Sequence, residues 1–138
     1  MISMNELLNG KYKLEDQTPE IQANLAILLE RVNKIRALWN APLRVTSGLR
    51  TIEDHLRIYA EKGITDPAKI PMHSKHLTGA AVDIFDPDLS LTAWLKENDS
   101  QRLKDAELWC EEGNKNWVHF QCVPYGSWVE GKTRWFLP

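Results

Sequence analysis

The segment AAVDIF, residues 80–85, sets a condition that the whole chain has to meet. It has the composition of a buried strand. Strand alternation puts Ala81 and Asp83 on one face and Val82 and Ile84 on the other. Asp83 is then a carboxylate inside an apolar strand, with the small Ala81 leaving space beside it. A buried carboxylate without a partner is costly. A cation partner removes that cost, and zinc is one candidate.

Two histidines stand where ligands of such an ion are expected. His76 lies where the preceding loop meets the strand, and Gly79 between them lets the backbone turn tightly. His119, in WVHFQ, shares a strand face with Trp117 and Gln121 and can meet Asp83 if the two strands belong to one sheet. A catalytic zinc commonly takes two histidines and a carboxylate and keeps one position open for water. Taken singly, each histidine reads more readily as a hydrogen-bonded core residue than as a ligand. His73 precedes His76 by three residues, so both could approach one ion only on irregular backbone; it reads better as a cleft residue. His55, within EDHLR, reads as an exposed helix residue near acids.

The remaining pattern predicts one α+β domain over residues 1–138, with a small antiparallel sheet packed against helices. Thr18 and Pro19 open a helix that runs to about Asn40, with Ile21, Leu25, Leu28, Leu29, Val32, Ile35 and Leu38 at helical spacing. LRVTS at 43–47 alternates as a short strand. A second helix, about 51–62, is capped by Thr51 and stopped by Gly63. Residues 64–78 form a loop of the length that small domains usually keep for function. After the strand at 80–85, Ser90 is expected to cap a helix to about Asn98, followed by a short helical piece. ELWCEE and WVHFQC, joined by GNKN, form a hairpin, and the aromatic tail covers the sheet edge. Cys110 and Cys122 read as two buried thiols, and Trp109, Trp117, Trp128 and Trp135 as core or cleft-lining aromatics.

Composition narrows the function classes. At 138 residues and a net charge of −2, the chain lacks the basic footprint of a nucleic-acid binder. No apolar run is long enough to span a bilayer. The first residues, MISMNELLNGKYKLEDQ, lack the features of a signal peptide, so synthesis in the cytoplasm is expected.

SKHLTGAAVD matches the pattern Ser-x-His-x-x-Gly-x-Ala-x-Asp with Ser74, His76, Gly79, Ala81 and Asp83. WVH at 117–119 is similar to the C-terminal histidine element of the same family, and VTSGLRT at 45–51 to its Ser-Gly-Tyr-Arg segment, with Leu49 replacing the aromatic. The chain thus resembles the zinc D-alanyl-D-alanine carboxypeptidases and L-alanyl-D-glutamate endopeptidases of the Hedgehog/DD-peptidase fold, above all small phage-encoded members. The matches run from about residue 43 to 122.

The resemblance implies one zinc on His76, Asp83 and His119, and hydrolysis of an amide in peptidoglycan stem peptides. It implies that Arg50 holds a substrate carboxylate or the developing oxyanion, and that Ser74 bonds substrate or orients its loop. Arg50 could instead pair with Glu53 or Asp54, and Ser74 could be a turn residue. The family's general base commonly sits two or three residues before the second histidine, where this chain has Trp117 and Asn116. Glu111 and Glu112 on the opposing hairpin strand are the replacements. A four-residue turn at 113–116 puts Glu112 on the His119 face, and a three- or five-residue turn puts Glu111 there. The Trp-x-Glu of the similar phage proteins points to Glu111. A monomer is expected, and without a signal peptide its action on the wall would need release through a holin-type pore or cell lysis. Two rival readings follow from the same residues. One is a zinc-binding module of this fold that serves binding or structure; the other is a metal-free protein in which Asp83 pairs with Arg50.

Overall fold

The computed structural model describes residues 1–138 as an α+β fold of four helices and one five-stranded mixed sheet. The helices are α1 (Met4–Leu7), α2 (Pro19–Trp39), α3 (Ile52–Glu61) and α4 (Ser90–Ala106). The strands are β1 (Val45–Ser47), β2 (Ala81–Phe85), β3 (Trp109–Glu111), β4 (Trp117–Gln121) and β5 (Trp135–Phe136), in the order β1-β2-β4-β3-β5. The expectation of a purely antiparallel sheet needs one correction. The tail does cover the edge, but as β5, which pairs with β3 in parallel through Cys110 N–H to Arg134 O at 2.9 Å and Glu112 N–H to Phe136 O at 2.7 Å.

The helix boundaries follow from local chemistry. Thr18 Oγ1 accepts the Ile21 N–H at 3.2 Å, and Pro19 at the first helical position loses no hydrogen bond there. The stripe Leu25, Leu28, Val32 and Ile35 is buried against one face of the sheet, where Val82, Ile84, Cys110, Val118 and Phe120 meet Leu91, Leu95 and Leu103 of α4. That face is the hydrophobic core. Thr51 caps α3 through the Asp54 N–H.

The start of α4 departs from the sequence expectation. Ser90 does not cap it; its hydroxyl donates to Asp88. The buried Asp86 carboxylate accepts Leu91 N–H at 3.0 Å and Thr92 N–H at 2.9 Å, which places an anion at the helix start. The helix is interrupted where Asn98, Asp99 and Ser100 take left-handed φ values of 54–57°, consistent with the expected end near Asn98 and a further helical piece.

Both cysteines are buried free thiols. Cys110 lies opposite Phe120 on the core face, so the two sulfurs are not cross-strand partners. No helix is long and apolar enough to cross a membrane.

Candidate metal centre

The second face of the sheet carries the polar residues. Register pairs Ser47 of β1 with Asp83 of β2 and Asp83 with His119 of β4. Trp109 pairs with Gln121 and Cys110 with Phe120, so one further step sets Glu111 of β3 across from His119. Glu111 in turn pairs with Phe136 of β5. Ser47, Asp83, His119, Glu111 and Phe136 therefore form one transverse row across all five strands. Side chains opposite one another in neighbouring strands point to the same face, so this row is one continuous surface.

His76 reaches this row from outside the sheet. Residues Lys75–Thr78 form a 3₁₀ turn, capped by Ser74, whose Oγ accepts the His76 N–H at 3.4 Å. Gly79 ends the turn at φ +73°, and a Cβ there would come 2.9 Å from the Leu25 side chain and 3.2 Å from Ile21 O. Only glycine fits that crossing onto α2. The His76 main chain is held by Arg50 N–H to His76 O at 3.1 Å, and its ring by Nδ1 against Gly48 O at 2.8 Å.

Three side chains converge. His119 Nδ1 lies 2.9 Å from Asp83 Oδ1, and His76 Nε2 lies 3.3 Å from Asp83 Oδ2. One ligand atom from each residue lies within 4.8 Å of the others. Zinc bonds to nitrogen and oxygen of about 2.0–2.1 Å in a tetrahedron separate ligand atoms by about 3.3 Å. The observed spacings fit one small divalent cation with little movement.

Electrostatics agree with a cation site. Burial works against the Asp83 anion, yet hydrogen bonds from His119 and His76 hold its carboxyl well below the usual carboxylate range. Burial would push the His119 imidazole down, but Asp83 at Nδ1 outweighs it and keeps its pKa above the ordinary histidine value, with Gln121 and Glu111 adding in the same direction. The group is thus a buried His–Asp–His set that could hold a metal ion.

The other residues singled out in the sequence are distributed as follows. Glu111 is on the cluster face. With the Asn114 amide nitrogen turned toward it, Asn114 donates to Glu111 Oε1 at 3.0 Å while its oxygen accepts from Trp117 Nε1 at 3.2 Å. Glu112 turns to the other side and pairs with Lys96 Nζ at 2.9 Å. The register decides between them, because continuing it by one residue sets Glu111 across from His119, whereas a four-residue turn at 113–116 would have brought Glu112 to that face. Arg50 donates through Nε to Ser47 Oγ at 3.2 Å. It makes no ion pair with Asp83, whose oxygens face the two imidazoles, so the metal-free pairing of Asp83 with Arg50 is not the arrangement formed. Nor does it pair with Glu53 or Asp54; Asp54 binds Lys11 and Arg57 instead. His73 is exposed and lies outside the cluster.

His55 requires a correction. It is fully buried, not an exposed helix residue. Its Nε2 meets Pro71 O at 2.9 Å, which ties α3 to the 64–78 loop, and its ring packs on Tyr59. Burial pushes its pKa down. The acidic neighbours in sequence gave no sign of this, because the covering loop comes from residues further on.

Aromatics flank the row at its β5 end. Phe136 stands edge-on to the His119 ring at 6.1 Å between centroids, and Tyr125 packs on Phe136. Trp109 and Trp128 meet edge to face at 5.0 Å, with the Arg134 guanidinium over both rings. Phe136 and Asn114 carry no signal in the sequence: Asn114 is placed by the hairpin register and Phe136 by the parallel pairing of β5, whereas strand alternation already sets Gln121 on the His119 face.

No protein-family model matches the chain, and no curated protein and no solved structure shows significant similarity to it.

Proposed function

We propose that the protein is a zinc-dependent peptidase that hydrolyses an amide bond in bacterial peptidoglycan stem peptides, built on a Hedgehog/DD-peptidase-like fold. The observation that carries the proposal is the convergence of His76, Asp83 and His119 with a carboxylate, Glu111, next in the same row. A metal cluster without a neighbouring base would be equally suited to structure; a base beside it suits hydrolysis. The sequence motif from Ser74 to Asp83 supports the family assignment.

His76, Asp83 and His119 would hold the ion. Zinc at such a centre lowers the pKa of water and polarises the scissile carbonyl. Glu111 takes the proton of the attacking water and returns it to the leaving amine. The Asn114 amide steadies that carboxylate. Arg50, held through Nε by Ser47, leaves its terminal nitrogens to bind the substrate carboxylate in a bidentate fork. Ser74, whose oxygen already caps the His76 turn, retains its O–H for a substrate carbonyl. The substrate is a stem peptide cut at D-alanyl-D-alanine or L-alanyl-D-glutamate, and the protein acts on the wall as a monomer.

Purified zinc-loaded protein is tested on peptidoglycan of several wall types, beside Glu111→Ala. Release of new amine or carboxyl ends by the wild type and none by the variant is expected. No cleavage of any wall type by well-folded, zinc-loaded wild type would favour a zinc-binding module in its place.

A further inference from the structure

Gln121 is 3% exposed and lies two residues beyond His119 on β4. Its amide is fixed at both ends. Nε2 donates to the Val123 carbonyl at 2.9 Å, so Oε1 is the atom that faces His119 Nε2, at 3.0 Å. An amide oxygen only accepts, so the imidazole has to present N–H at Nε2. The nitrogen that remains is Nδ1, on the Asp83 side. His76 is fixed in the opposite sense. Its Nδ1 faces the Gly48 carbonyl at 2.8 Å and must carry the proton there, which leaves Nε2 toward Asp83.

We infer that Gln121 is a positioning residue: it holds His119 with its proton on Nε2 and commits Nδ1 to the cation, so that the centre binds through one imidazole Nε2 and one imidazole Nδ1. The inference rests on the metal reading proposed above. Its physical basis is that a ring nitrogen engaged as a donor cannot also ligate, and that outer partners set both the tautomer and the plane of a ligating imidazole. Without the acceptor, His119 is free to turn its ring or move its proton, and Nδ1 loses its fixed direction. Asp83 alone does not prevent this, because its carboxylate accepts from either ring nitrogen.

The test combines heteronuclear NMR of the histidine rings with zinc affinity, measured by competition with a chromophoric chelator. Wild type, Gln121→Met and Gln121→Glu are compared. In zinc-loaded wild type, His119 is expected to bind through Nδ1 with the proton on Nε2. Gln121→Met keeps the side-chain length and removes the acceptor, and zinc affinity should fall about 10–100-fold. Gln121→Glu keeps an acceptor and should stay within a few fold of wild type. Zinc on His119 Nε2 in the wild type, or equal affinity in well-folded Gln121→Met, overturns the inference while leaving the metal site intact. Should the methionine variant not fold, the wild-type ring assignment decides by itself. Failure of the wild type to take up zinc sinks the metal reading, and this inference falls with it.

Discussion

Asp83 and His119 are cross-strand partners on β2 and β4, and their side chains meet at 2.9 Å on the face of the sheet that points away from the core. His76 closes the group from a 3₁₀ turn whose position depends on two glycines, and Glu111 extends it along the same row. The consequences can be checked one at a time.

Glu111→Gln should reduce peptide hydrolysis by about 10²–10⁴-fold, the range for loss of a general base, while zinc uptake stays unchanged. Glu112→Gln should leave turnover near wild type, because Glu112 faces Lys96 on the other side of the strand. Steady-state rates on a defined stem peptide measure both. Equal losses in the two variants would contradict the register assigned to β3.

Gly48→Ala should destabilise the protein by about 1–3 kcal/mol, the cost of overpacking, with more if the backbone has to shift. A Cβ at Gly48 would lie 2.2 Å from Leu7 O, which is main chain and cannot rotate away. The Gly48 carbonyl also holds the His76 ring, so metal affinity should fall in the same variant. A urea unfolding curve indistinguishable from wild type would show that the close approach to α1 is not as described.

Much of this arrangement is visible in the sequence, and the reasons for the remainder are local. The α2 stripe, the Thr18 and Thr51 caps and strand β2 follow from short-range rules, because each depends on residues within a few positions of itself. The chemistry at Asp83 is legible because a lone carboxylate in an apolar strand demands a partner. The hairpin register is not, since a turn of three or four residues fits GNKN equally well and the choice exchanges Glu111 for Glu112. His55 is misread for a related reason: its burial comes from Pro71 and the loop around it, contacts that leave no periodic trace in α3. The start of α4 differs from the sequence reading because its N-cap position is Leu89, one residue before Ser90, and Asp86 reaches forward from the end of β2 to take the first N–H groups. The parallel pairing of β5 depends on the path of a loop that local patterns do not specify.

Asp54 should contribute to the acid limb of stability. Its hydrogen bonds with Lys11, then Tyr12, depress its pKa to about 2 and join the N-terminal segment to α3. A depressed folded-state pKa stabilises the fold above the unfolded value of about 3.9, and the contribution is lost as pH falls through that value toward 2. Asp54→Asn should therefore flatten the pH dependence of the unfolding midpoint between about pH 4 and 2 and leave its slope above pH 5 unchanged. An unaltered acid limb would assign that dependence to other carboxylates.

Zinc should stabilise the fold by mass action. At a free concentration of 100 times the dissociation constant, the gain is about 2.7 kcal/mol, visible as a rise in the thermal midpoint that a chelator reverses. His76→Ala and Asp83→Ala should remove the rise, whereas His73→Ala should retain it, since His73 is exposed and outside the cluster.

The most direct measurement is the metal content of the purified protein, by elemental analysis after dialysis against zinc and then against metal-free buffer, in wild type and Asp83→Ala. About one zinc per chain in the wild type and none in the folded variant is the predicted result. A well-folded wild type that retains no divalent ion, or a variant that retains as much, would contradict the claim that His76, Asp83 and His119 form one metal centre.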